Sequence, residues 1–228
     1  MFDTRVVTAI AELRSLVQPT TLAHERILPV LPPLDTVLPH GGLALGSTIG
    51  VDECTSLSLA LVAAASQAGS WVAAVGTAAI GWAAAADLGL DLGRVLVVPR
   101  VGAAEWAGVV AALVDSVAVV MIRPSRPVRE RDARRLSARA RERGTVLLVD
   151  AAVRSWPIEP DVVIEAVGAW SGLGEGHGRL QGRRLDISIS GRRAASRRSS
   201  VELWLPAADG TMRPASPMSQ PFPLGTVS

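Results

Sequence analysis

The strongest constraint on this chain is a repeated alternation of short apolar runs and Ala-rich stretches. Ser47–Val51, Trp71–Gly76, Arg94–Pro99, Val117–Ile122 and Thr145–Asp150 read as strands, and residues 56–68, 78–87, 103–115 and 128–143 between them read as helices. Continuous apolar strands separated by helices of about 10–15 residues predict a parallel sheet covered on both faces. After Asp150 the pattern changes. Asp161–Val167, Arg183–Ser190 and Ser200–Leu205 read as strands with no helix between them. They predict antiparallel additions at one sheet edge, joined by a Gly-rich loop over Ser171–Gly182. The fold class is therefore α/β, a mostly parallel sheet flanked by helices with antiparallel C-terminal edge strands.

Outside that core the chain divides by composition. Residues 1–18 predict an amphipathic helix, with Val6, Val7, Ile10, Leu13 and Val17 sharing one face. Residues 19–46, with Pro29, Pro32, Pro33 and Pro39, read as a Pro-rich link to a core at 47–205. Residues 206–228 carry five more prolines among small polar residues and read as a disordered tail. The longest apolar stretch, Trp71–Ala86, is mostly Ala and Gly and is broken at Gly76 and Gly81, so no membrane span is expected. The start, Met1-Phe2-Asp3-Thr4-Arg5, carries an acid early and lacks the basic start and apolar run of a secretory signal. The single cysteine, Cys54, excludes an internal disulfide, and His24, His40 and His177 lie too far apart for a metal signature. A cytoplasmic protein without metal or other cofactor is the expectation.

All 23 basic residues are arginine. Without lysine there is no Schiff base, no lysine general base and no lysine-dependent phosphate loop. The charge is also uneven. Residues 1–122 hold five arginines against ten acids, and residues 123–228 hold 18 against 11. A formal net charge of +2 thus hides a strongly basic second half.

In α/β proteins phosphates bind where a strand leads through a Gly-rich turn into a helix, because free N–H groups and the helix dipole converge there. Here that junction is the segment Ser47–Ser58. Set against G-x-x-x-x-G-K-[ST], Gly50 fills the first glycine position. Thr55 then stands at the second glycine, Ser56 at the lysine and Leu57 at the magnesium-binding hydroxyl. Asp52 and Glu53 add negative charge where a triphosphate would sit. The site reads as inactive. The strand Val117–Ile122 is followed by Arg123 rather than an acid, while Asp150 ends the next strand and reads either as a strand-end residue or as part of a rearranged metal site.

With these motifs the layout resembles the RecA-type core, through Leu34-Asp35, then Leu38-Pro39-His40-Gly41-Gly42-Leu43 and Gly46, then the strand and degenerate loop, over about residues 3–205. The lysine-free, Arg-rich chain most resembles the actinobacterial ImuA-prime type. The resemblance implies a non-catalytic scaffold of DNA-damage-induced mutagenic translesion synthesis, within the SOS response. Its implied partners are ImuB, an inactive relative of Y-family polymerases, and through it the error-prone DnaE-type polymerase and the sliding clamp. Three rival readings stand beside it: an ATPase with an atypical site around Asp52 and Asp150, a stand-alone DNA-binding module, and a SulA-like division inhibitor.

By the same resemblance, the segment from Arg123 corresponds to the first DNA-binding loop of RecA and Asp150–Asp161 to the second. Arg123, Arg126, Arg129 and Arg154 are candidate contacts to single-stranded DNA. The alternative is a solvated outer helix face, the favoured reading for Arg134, Arg139 and Arg141. Arg192, Arg193, Arg197 and Arg198 surround a predicted hairpin turn that can meet phosphate or an acidic partner. Trp156 and Trp170, in or beside loops, are candidate partner contacts. Val6, Ile10 and Leu13 are candidates for self-association through residues 3–17, with packing on their own domain as the alternative.

Overall fold

The computed structural model describes residues 27–151, 155–174, 177–192 and 199–215. The N-terminal helix expected over residues 1–18 lies outside them. The first described elements are β1 (Ile27–Pro29), α1 (Pro32–Asp35), a 3-10 turn (Pro39–Gly41) and β2 (Gly42–Ala44), with β1 and β2 antiparallel. Residues 27–46, read as a link from their prolines, thus form a packed layer with Leu34, Leu38 and Leu43 buried. The prolines sit where no N–H is needed. Pro32 and Pro39 open their helical turns.

The parallel sheet follows from β3 (Thr48–Val51), β4 (Val72–Val75), β5 (Val95–Val98), β6 (Val119–Ile122) and β7 (Val146–Asp150). The intervening helices are α2 (Thr55–Gln67), α3 (Trp82–Asp87), α4 (Trp106–Val114) and α5 (Glu130–Arg143). Then β8 (Val162–Gly174), β9 (His177–Gly191), β10 (Ser199–Trp204) and β11 (Arg213–Pro214) complete one nine-stranded sheet of order β11-β10-β9-β8-β3-β7-β6-β4-β5. Pairs from β8 across to β5 are parallel, and the three pairs from β8 to β11 are antiparallel.

Both sheet faces are covered, as the unbroken apolar strands require. Val119, Met121, Val146 and Leu148 face α2, α3 and the N-terminal layer, among Leu57, Leu61 and Ile164. Their neighbours Val120, Ile122, Leu147 and Val149 face α4 and α5, among Val110, Leu113, Leu136 and Ala140. Asp115 ties those two helices together, receiving hydrogen bonds from Arg139 on both carboxylate oxygens and one from Arg143.

Two expectations need correction. The segment Ser171–Gly182 is not a loop but part of a long hairpin, since β8 and β9 stay paired out to Leu173 and Gly178. Gly172 and Gly178, at φ +96° and +110°, serve a bulge there, so the glycines mark an irregular ribbon. Residues 206–215, assigned to the tail, are folded. The Pro206 carbonyl accepts from the Arg183 N–H, and β11 pairs with β10.

Candidate functional site

Three strand ends meet beside the start of α2. Between Val51 and Thr55 run only Asp52, Glu53 and Cys54. The Asp52 N–H donates to the Ile164 carbonyl at 3.0 Å, and the Glu53 N–H donates to Val51 at 3.0 Å. Those are groups an anion cradle would turn inward. Glu53 takes φ +45°, which closes the turn tightly. Gly50 lies inside β3, paired with Val149 and Val163, and not in the turn. A β-carbon there would sit 3.0 Å from the Pro160 ring, so close packing accounts for this glycine.

A chain of polar contacts fills the mouth of the junction. Arg123, just beyond β6, donates from Nη1 to Thr55 Oγ1 at 2.6 Å, and Thr55 Oγ1 donates to Asp150 Oδ2 at 2.8 Å. Gly76 holds the arginine's backbone in place. At φ +76° it lies so close that a β-carbon would be 2.3 Å from the Arg123 carbonyl oxygen. Asp150 is 1% exposed, and its Oδ1 has no hydrogen-bond partner among the described residues. Burial raises its pKa above the ordinary carboxylate value, opposed by the Thr55 hydrogen bond and the Arg123 charge and assisted by Glu53. The arrangement is an internal arginine–hydroxyl–carboxylate relay in the position of a phosphate cradle. Among the described residues no group of three or more His, Cys, Asp or Glu is gathered to hold a metal.

Residues 36–157 match the family described as the MT3502 N-terminal domain. The chain is also 32% identical over 205 residues to a Mycobacterium tuberculosis protein described as "Uncharacterized protein Rv3395c", covering 83% of this chain and 97% of that protein. The chain belongs to the MT3502 N-terminal domain family. The matched MT3502 segment runs from the end of α1 to just past β7, so it contains Thr55, Arg123 and Asp150 and stops before the β8–β9 ribbon.

The other predicted residues are dispersed along the chain, inside and outside the matched segment. Ser56 lies beside Cys54, with Oγ 3.6 Å from Sγ, and Leu57 is buried in the core. Arg126 and Arg129 are exposed before α5. Arg192 is exposed and donates to Glu159 through Nε and Nη2. Arg154, Arg193, Arg197, Arg198, Val6, Ile10 and Leu13 lie outside the described residues. Trp156, a candidate partner contact, is 5% exposed and packs with the α4–α5 core, which takes its ring out of reach of a partner. Trp170 is 48% exposed on the ribbon, opposite Arg183. Arg123, a candidate DNA contact, is half-buried and donates to Thr55 Oγ1. Its place after β6, where an acid was expected, was the available signal. No helix among the described residues is long and apolar enough to cross a membrane.

Proposed function

We propose that this protein is a RecA-like scaffold of the ImuA-prime type, acting in mutagenic translesion synthesis without hydrolysing nucleotide. The relay from Arg123 through Thr55 to Asp150 carries this reading, because it occupies the mouth where a working enzyme keeps free donors. The order of the sheet, a parallel block extended by antiparallel strands at one edge, supports the RecA-like part. The similarity to Rv3395c is consistent with a mycobacterial-type family and assigns no activity.

Function then lies in association rather than catalysis. The partner is ImuB, which brings the DnaE-type polymerase and the sliding clamp. The test is co-purification of full-length protein with ImuB, compared with chains lacking residues 1–18 or 216–228 and with Ser56→Ala. The expected result is retention of ImuB by the full chain and by Ser56→Ala, with loss on at least one truncation. Failure of the full-length chain to retain ImuB would overturn the reading.

A further inference from the structure

The solvated face of helix α5 is also one wall of a cleft. A cavity of about 470 Å³ opens between α5 and residues 157–161 at the amino-terminal end of β3, the opposite end of the sheet from Asp150. Arg134 and Arg141 line it from the helix and Arg192 from beyond β9. Its floor is fixed. Thr48 Oγ1 donates to Ser137 Oγ at 2.9 Å with both residues buried, and the Thr48 N–H donates to Asp161 Oδ2 at 2.9 Å.

We propose that this cleft and the exposed face of α5 leading into it bind the phosphodiester backbone of a nucleic acid. Arg131, Arg134 and Arg141 fall on one side of α5, all exposed. They form a track about 15 Å long at 1.5 Å per residue, and Arg192 continues it across the cleft. A linear track fits a linear polyanion better than a compact one. Arg135, also exposed, adds charge on the neighbouring row.

Each cleft arginine is held by a carboxylate in the free protein. Arg134 meets Glu130 at 2.5 Å, Arg141 meets Asp161 at 3.6 Å and Arg192 meets Glu159 at 2.7 Å. All three arginines are more than half exposed, and exposed pairs of this kind contribute about 0–1 kcal/mol. Phosphate oxygens take the same guanidinium fork and can replace them. The lining favours nucleic acid over a protein partner. It has no aromatic side chain and little apolar surface, whereas protein interfaces centre on buried aromatic and aliphatic anchors. Backbone binding needs only positioned cations. The proposal goes beyond the scaffold reading and stands without it.

The experiment is fluorescence anisotropy of the full chain with labelled oligo(dT) of about 20 nucleotides and a duplex of the same length, at about 50 and 200 mM salt. The variants are Arg134→Gln/Arg141→Gln/Arg192→Gln, Arg192→Gln alone, Glu159→Gln, and Arg126→Gln/Arg129→Gln from the other end of α5. The triple variant should melt like wild type, bind about tenfold more weakly or worse, and show a salt slope reduced by about two. Arg192→Gln should show part of that loss even if the triple variant fails to fold. Glu159→Gln should tighten binding. The proposal is overturned if neither oligonucleotide binds wild type at low salt, or if the triple variant, or Arg192→Gln where the triple does not fold, binds as wild type. It is equally overturned if poly-L-glutamate competes as well as DNA, or if only the Arg126/Arg129 variant loses binding.

Discussion

Burial works against the charge on Asp150, while Thr55 and Arg123 work for it, and burial prevails. The sign of the consequence follows directly. A carboxyl whose folded pKa lies above its unfolded value of about 3.9 binds its proton more tightly when folded. Its contribution to stability is complete below the unfolded value and is lost as pH rises through the folded one. Asp150→Asn keeps an acceptor for Thr55 and removes the titration. Urea unfolding from about pH 4 to 7 should therefore show the variant gaining on wild type as pH rises. The opposite trend would mean that Arg123 holds Asp150 as a dominant ion pair.

Among the elements, α5 docks on the sheet through one large apolar side chain. Leu136 is fully buried against the sheet together with Ala133 and Ala140. Leu136→Ala should cost about 2–5 kcal/mol in denaturant unfolding, and a cost below about 1 kcal/mol would show that the helix is not docked as described. The amphipathic spacing that buries Leu136 was legible in the sequence, as were strands β3 to β7, because strands apolar on both faces leave an unbroken signature. Strand β8, expected as an antiparallel addition, pairs in parallel with β3, and only its other edge is antiparallel. Proline and glycine misled. At Pro32 and Pro39 they begin helical turns of a packed layer, and at Gly172 and Gly178 they serve a bulge inside a ribbon. Composition records that these residues break regular structure, but not whether the break is a linker, a helix start or a bulge. The loss of the phosphate pattern at Gly50–Leu57 could be read directly. The relay could not, since Thr55, Arg123 and Asp150 meet only after three strands are set side by side.

At the scale of the molecule, the sheet has two chemically different ends. The carboxyl end holds a closed turn and the Arg123–Thr55–Asp150 relay, and the amino end holds an open cleft lined by arginines. The turn after β3 is closed by its own backbone hydrogen bonds and Asp150 beside it is buried, whereas solvent-facing arginines lie on α5 and its neighbours. Calorimetric titration of the full chain with ATP and magnesium tests this most directly. The account predicts no saturable heat. Binding with a dissociation constant below about 100 µM, near −5.5 kcal/mol, would show that the junction still cradles phosphate and would contradict it.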